Sequence, residues 1–373
     1  MRGKWYLRMK NNEFISSVWD FKEISLLETS YLTHDFLRWY GKLIPQLVAK
    51  LINLYSKKGE TILANFAGSG TVLLEANVRG RNAIGYDILP LSILLCDVKT
   101  KGYKSNSKKL FQKVESYIKI HKNKEYVMDA VDRKWYDPFT FHDLMILRDA
   151  INQLRNENEK KFCMLALASL TRNVSKIDSR CINHIVVDNH KTRKNVFDLF
   201  LKKIIEMEKS VDDYLKVHTT SSIKVAFGDA RNLREVKSGS IDLIISHPPY
   251  LGCINYSNIF KLANKILGHE YDIVKKNDIS TNSVKQYYSD MDVVFDEMYR
   301  IVKSQRYVCV IIGDNRVNGD IIPTFSHFID YAQKIGFKLK DTFIWVLNQK
   351  AGMSIKRRGN HIDHNYILIF QKP

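Results

Sequence analysis

The stretch from Thr61 to Asp87 constrains the fold of this chain more than any other. Thr61-Ile-Leu-Ala-Asn-Phe66 has the composition of a short buried strand, and it runs directly into Ala67-Gly-Ser-Gly-Thr71. Val72 to Arg79 then reads as helix, and a second strand, Asn82-Ala-Ile-Gly-Tyr86, ends at Asp87. Strand, glycine turn, helix, strand and acid make a βαβ unit. Glycines at such a turn let a ligand approach the backbone closely. An acid about 20 residues further on can hold two ribose hydroxyls. These residues fit nicotinamide dinucleotides, flavins and S-adenosylmethionine alike, and a plain tight turn with a solvent-facing acid competes with all three.

The rest of the chain extends this α/β pattern. Upstream, between Phe36 and Leu54, Leu43, Leu47, Leu51 and Ile52 fall at helical spacing, with Pro45 suited to a first turn. Residues 101–222 are Lys-rich and amphipathic over 108–120, 141–156, 160–170 and 196–217, which predicts a mostly helical insert. Strand patterns resume at 224–228, 241–246 and 307–312, and again at 342–346 and 366–370, with helical segments at 287–302 and 324–335. The alternation predicts a mostly parallel central sheet covered on both faces, closed by an antiparallel edge hairpin. The expected organisation is an N-terminal arm over 1–32, a core domain from 33–100 and 223–373, and the insert over 101–222. No internal repeat or low-complexity linker interrupts it.

Composition narrows the class. A hydrophobic share of 45% and a charged share of 26% are globular values, which excludes general disorder. No apolar run approaches the ~18 residues of a membrane helix. The basic N-terminus lacks an apolar core behind it, so no cleaved signal peptide is expected. Cys96, Cys163, Cys181, Cys253 and Cys309 are scattered without a C-x-x-C pair, which argues against disulfides and zinc and for a reducing, cytoplasmic setting. Scattered histidines such as His142 and His269 read as ordinary residues, and no metal site is expected. Lys and Arg number 58 against 40 Asp and Glu, a net charge of +18 that suits a polyanion such as nucleic acid, or simply a solvated Lys-rich surface.

Ile241-Asp-Leu-Ile-Ile-Ser-His-Pro-Pro-Tyr250 is the more specific signal. An apolar strand delivers His247, Pro248, Pro249 and Tyr250 to the carboxyl edge of the sheet, where α/β proteins bind ligands. Each proline fixes φ and removes an N–H, leaving a rigid loop rich in acceptors. Such a loop suits an exocyclic amino group, whose two protons must be accepted in fixed directions, and Tyr250 can stack on a planar base.

With these residues in view the chain resembles the DNA amino-methyltransferases, which methylate cytosine-N4 or adenine-N6 from S-adenosyl-L-methionine. Phe66-Ala-Gly-Ser-Gly-Thr71 resembles their cofactor motif and His247-Pro-Pro-Tyr250 their catalytic loop. Thr33-His-Asp-Phe-Leu-Arg-Trp-Tyr-Gly-Lys-Leu-Ile-Pro45 is similar to the segment that closes over the cofactor, and Gly228-Asp229-Ala230 to the motif whose acid meets the adenine. Leu251–Tyr256, Tyr288–Tyr299, Ile312-Gly-Asp-Asn315 and Tyr366–Lys372 extend the likeness, which spans most of 30–100 and 222–373. The resemblance implies a Rossmann-like methyltransferase fold. It also implies cofactor contacts from Thr33, Tyr40, Phe66, Gly68, Gly70, Thr71, Asp87 and Asp229, and catalysis by His247, Pro248, Pro249 and Tyr250. Two departures stand out. Ala64 and Asn65 occupy the usual Asp-Pro positions, and His247 replaces Asp, Asn or Ser. A neutral imidazole can still accept one hydrogen bond, whereas imidazolium cannot.

The implied chemistry is in-line methyl transfer to a base flipped from double-stranded DNA, without a covalent enzyme–base intermediate. The loop context leans to the cytosine-N4 branch, and a cognate restriction endonuclease is the natural partner. Monomer and dimer remain equally open. Arg172, Lys176 and Arg180 in the insert, and Lys356, Arg357 and Arg358 in a late loop, are the candidate DNA contacts, with solvated surface as the competing account. Two other functions stay open: an RNA base amino-methyltransferase, and a non-catalytic DNA-binding relative suggested by Ala64 and His247.

Overall fold

The structure, a computed structural model, describes residues 16–21, 23–178, 186–252, 254–269, 278–279, 281–317, 320–347, 356–357, 360–361 and 364–373. Within them the apolar runs form one eight-stranded sheet and two small hairpins. In chain order the strands are β1 (Ser17–Asp20), β2 (Thr61–Ala64), β3 (Asn82–Asp87), β4 (Ile223–Phe227), β5 (Ile241–Ser246) and β6 (Val302–Ile312). The hairpin β7 (Asn315–Val317) and β8 (Asp320–Ile322) precedes β9 (Lys338–Val346), and the short pair β10 (Lys356–Arg357) and β11 (Asn360–His361) precedes β12 (His364–Gln371). Across the sheet the order is β1-β9-β12-β6-β5-β2-β3-β4. β12 runs antiparallel to both β6 and β9, and the other pairings in this sheet are parallel.

The α/β expectation is met, with one refinement. The closing hairpin β9–β12 is present, but β1 pairs outside it, Ser17 opposite Phe343, so the sheet's outer edge comes from the N-terminal segment. Trp19 explains the docking: its ring stacks on Phe343 at 4.4 Å, and the Lys50 ammonium lies 3.9 Å from its centroid.

The helices are α1 (Pro45–Tyr55), α2 (Thr71–Val78), α3 (Pro90–Lys101), α4 (Ser107–His121), α5 (Ala130–Trp135), α6 (Pro138–Asn152), α7 (Glu157–Val174) and α8 (Val196–Leu215). Later come α9 (Tyr256–Ile259), α10 (Lys261–Ile266), α11 (Val284–Ile301) and α12 (Thr324–Lys334). Pro45 and Pro90 open α1 and α3, since a first-turn N–H needs no intrahelical partner. Residues 36–44 are therefore outside the helix that their spacing shares with α1. The sequence reading named none of α3, α5, α9 and α10.

β5 is buried at all of its positions, as expected of a central strand covered on both faces. One face packs on α1 and α2, with Leu47, Leu51, Val72 and Leu73 against Ile62, Leu243 and Ile311. The other packs on α11 and α12 through Phe295, Met298 and Phe328. A third apolar cluster joins α4, α6, α7, α8 and α10 to α3 and to Phe36, Leu37, Trp39 and Tyr40. The helical segment between β3 and β4 is thus seated on the chain that precedes α1. No described helix is long and apolar enough to cross a membrane.

Candidate active site

Strand order reverses at β2: the chain goes to β3 and β4 on one side and to β5 and β6 on the other. In open α/β sheets the crevice at the carboxyl ends of such strands binds ligands. Here it holds a cavity with about 880 Å³ of empty space, inside the ~300–1,000 Å³ range of ligand sites. Its wall takes Asn65 to Ser69 and Thr71 after β2, Asp87 after β3, Gly228 and Asp229 after β4, and His247 and Pro249 after β5. Trp39 and Lys42 close it from the segment before α1, and Tyr256 and Asp278 add to the rim.

The glycine turn is held by the acid that follows it. The Gly68 amide donates to Asp87 Oδ2 at 2.7 Å and the Leu89 amide to Asp87 Oδ1 at 3.0 Å, while Ser92 Oγ donates to the Gly68 carbonyl at 2.7 Å. Burial pushes the Asp87 carboxyl above its usual range, and the two amides pull it back. Gly68 has φ +51°, and a Cβ there would lie 3.3 Å from Trp39 Nε1. The glycine therefore lets the Trp39 indole approach the turn. Trp39 in turn stacks on Phe260, with centroids 4.4 Å apart.

Two charged groups that the sequence reading did not single out hold this corner from behind. Lys99 is buried, donates from Nζ to the Ser69 carbonyl, and is lowered to about 7 by that burial. Glu75, wholly buried on α2, accepts from Tyr31 OH at 2.6 Å and bonds His34 Nε2 at 2.9 Å and Arg79 at 2.5 Å. Sequence offered one signal for them, a Glu and a Lys inside otherwise apolar helical stretches.

Asp229 lines the cavity, but its carboxylate also takes the Arg231 guanidinium, Nη2 to Oδ2 at 2.6 Å, and Arg231 reaches on to Asp290 at 2.8 Å. A carboxylate has lone pairs enough to accept from a further donor.

The diproline corner sits across the cavity from Asp87. His247 has Nε2 3.1 Å from Tyr250 OH, with the two rings edge to face at 5.4 Å. Burial depresses the imidazole to about 4, so it is neutral at neutral pH. The Pro249 carbonyl accepts from Tyr287 OH at 2.9 Å, which ties the corner to α11. Pro248 is buried, and Tyr250 packs beside Gly313, whose Cβ would lie 3.2 Å from the Tyr250 ring.

Of the expected cofactor residues, the structure brings Phe66, Gly68, Thr71, Asp87 and Asp229 to the cavity wall together with His247 and Pro249. Thr33, Tyr40 and Gly70 stand behind it. Thr33 Oγ1 donates to the Lys99 carbonyl at 2.9 Å, and the Tyr40 carbonyl accepts from Tyr256 OH at 3.0 Å. Gly70, with φ +73°, abuts Cys96. Arg172 lies 5.8 Å from the Tyr40 ring centroid, linking α7 to the cavity's outer segment. Lys176 is half-buried just after α7, its amide donating to the Trp135 carbonyl. Lys356 and Arg357 form β10, while Arg180 and Arg358 lie outside the described residues. No group of metal-ligating side chains occurs among the described residues.

Asn65 is the cavity residue that sequence reasoning registered only as a departure. Its side chain is 1% exposed, and neither Oδ1 nor Nδ2 has a partner.

A dinucleotide-style corner facing a diproline loop defines a methyltransferase site, and comparison with known proteins agrees. The sequence matches the DNA methylase family over residues 2–93 and 241–373, more than half its length, and the chain belongs to that family. It is 23% identical to the type II methyltransferase M.MjaII of Methanocaldococcus jannaschii, over 80% of this chain and 75% of that one. It is 23% identical to M.MvaI of Kocuria varians, over 79% and 80%. With M.BsoBI of Geobacillus stearothermophilus it shares 21%, over 91% and 86%. S-adenosyl-L-methionine is the cofactor, and the cavity suits it: Asp87 for ribose hydroxyls, a glycine cradle beside Trp39, and an unpartnered amide at Asn65.

Proposed function

We propose that the chain is a site-specific methyltransferase acting on an exocyclic amino group of a base flipped from double-stranded DNA, with cytosine-N4 favoured over adenine-N6, and that it is the modification half of a restriction–modification system. The observation that carries this reading is that His247 and Pro249 wall the same cavity as Gly68 and Asp87. Methyl acceptor and methyl donor thereby meet in one space.

When bound, S-adenosylmethionine supplies a methyl group already activated on a sulfonium, so the protein's work is mainly alignment. An aryl amine's lone pair is delocalised into its ring, and acceptors placed around its protons draw it towards tetrahedral geometry. In this proposal Nε2–H of neutral His247 donates to the Tyr250 oxygen, which leaves Nδ1 free to accept from the base amine. The Pro248 carbonyl is the second acceptor. Tyr250 both fixes that tautomer and offers its face to the flipped base, recovering part of the few kcal/mol that flipping costs. Arg172 and Lys176 beside the cavity segment, and Arg180 with Lys356, Arg357 and Arg358, are the proposed phosphate and base-edge contacts.

The test is expression in a methylation-free host followed by genome sequencing with base-modification detection. A methylated motif at cytosine-N4 is the expected result, and adenine-N6 would move the atom but keep the class. An unmodified genome beside methylated tRNA would transfer the enzyme to RNA. In purified protein, His247→Ala and Tyr250→Ala are expected to lower turnover by roughly 100-fold or more with an unchanged melting temperature. Wild-type turnover in either variant would remove these roles.

A further inference from the structure

We propose that Asn65 binds the zwitterionic amino-acid end of the cofactor, its Oδ1 accepting from the α-ammonium and its Nδ2 donating to the α-carboxylate. The inference rests on the family's cofactor and adds a residue of this chain that the sequence pattern would not supply. The polar atoms of Asn65 are buried and unpartnered, while the residue itself lines the cavity. A buried amide without partners is costly, so such a group in a cavity wall points to a ligand that completes it.

Strand order says which part of the cofactor that is. The acid for the ribose, Asp87, ends β3, and the histidine for the acceptor base follows β5. β2 runs between those two strands, and Asn65 is the first residue beyond its end. Adjacent strands lie about 4.8 Å apart, so one strand's step from the ribose towards the acceptor brings the ligand to its sulfur and the amino-acid chain that sulfur carries. β4 and Asp229 lie a step in the other direction, towards the base of the nucleoside.

The chemistry fits an amide better than a carboxylate here. Ala64, at the end of β2, offers no charge. A carboxylate would satisfy the ammonium and repel the α-carboxylate, whereas an amide presents an acceptor and a donor at once.

The test is isothermal titration of the full-length protein with S-adenosylhomocysteine and with 5′-methylthioadenosine, which lacks the amino-acid end. Asn65→Ala is expected to weaken S-adenosylhomocysteine by roughly 10- to 100-fold and to leave methylthioadenosine within about twofold, the error of one lost weak contact. Asn65→Asp, nearly the same size, is expected to favour the decarboxylated cofactor analogue over S-adenosylmethionine relative to wild type. Equal weakening of both ligands by Asn65→Ala, or an unshifted preference in Asn65→Asp, would overturn the assignment. Failure of the wild type to bind either nucleoside would instead strike the cofactor itself, and the inference would fall with it.

Discussion

Gly70→Ala is the substitution whose cost can be worked most directly from the structure. Gly70 caps α2 with φ +73°, in the left-handed region. An alanine held there costs roughly 1–2 kcal/mol. Its Cβ would also lie 2.9 Å from Cys96 Sγ and 3.4 Å from the Cys96 Cα. That is an overpacking of the kind that costs about 1–3 kcal/mol in a closed core. The two add to about 2–5 kcal/mol, set against a total stability of about 5–15 kcal/mol. Urea denaturation should show this as a lower midpoint with an unchanged slope. Cys96→Ala in the same background separates the causes, because it removes the Sγ contact and leaves the dihedral. The double variant is therefore expected to be more stable than the sum of the single effects by about 1 kcal/mol. A Gly70→Ala protein as stable as wild type would refute the reasoning, and strict additivity would refute its steric half.

Other expectations follow from single groups. Because His247 is depressed to about 4, the imidazole contributes no inflection to a kcat–pH profile through the usual histidine range, and activity should fall only as pH approaches that value. A step centred between 6 and 7 that disappears in His247→Asn would contradict a neutral imidazole. His34, pushed down to about 4 by burial, stays neutral in the fold while the unfolded chain takes up a proton. Its contribution is thus whole above pH ~6.5 and lost as pH falls towards 4. Urea midpoints over this window should fall more steeply for wild type than for His34→Gln, and parallel slopes would argue against it. Tyr214 is buried and its hydroxyl lies 2.8 Å from both Asn77 Oδ1 and the Thr100 carbonyl. Tyr214→Phe leaves these groups short of a donor and is expected to cost about 1–2 kcal/mol in thermal or urea unfolding.

The legible part of this protein is local in the chain. The helix α8 shows itself in the spacing of Phe200, Ile204, Met207 and Val211, and β5 in an unbroken apolar run, because each pattern repeats within a few residues. α3 escaped notice for the opposite reason: it is buried over much of its surface, Lys99 included, and shows no polar face to mark its period. α5 and α9 are too short to carry a period at all.

The amino-acid order alone determined the turn at Gly68, the acid at Asp87 and the stiff corner at His247-Pro-Pro-Tyr250, since each is written in consecutive residues or in one βαβ step. Only the tertiary structure decided that β1 seals the outer edge, that Glu75 and Lys99 brace the glycine turn from behind, and that Thr33, Tyr40 and Gly70 support the cavity without walling it. It alone singled out Asn65 as a buried amide left unmatched. Whether a polar side chain has a partner depends on atoms contributed by strands and helices distant in the chain, and no local period encodes that.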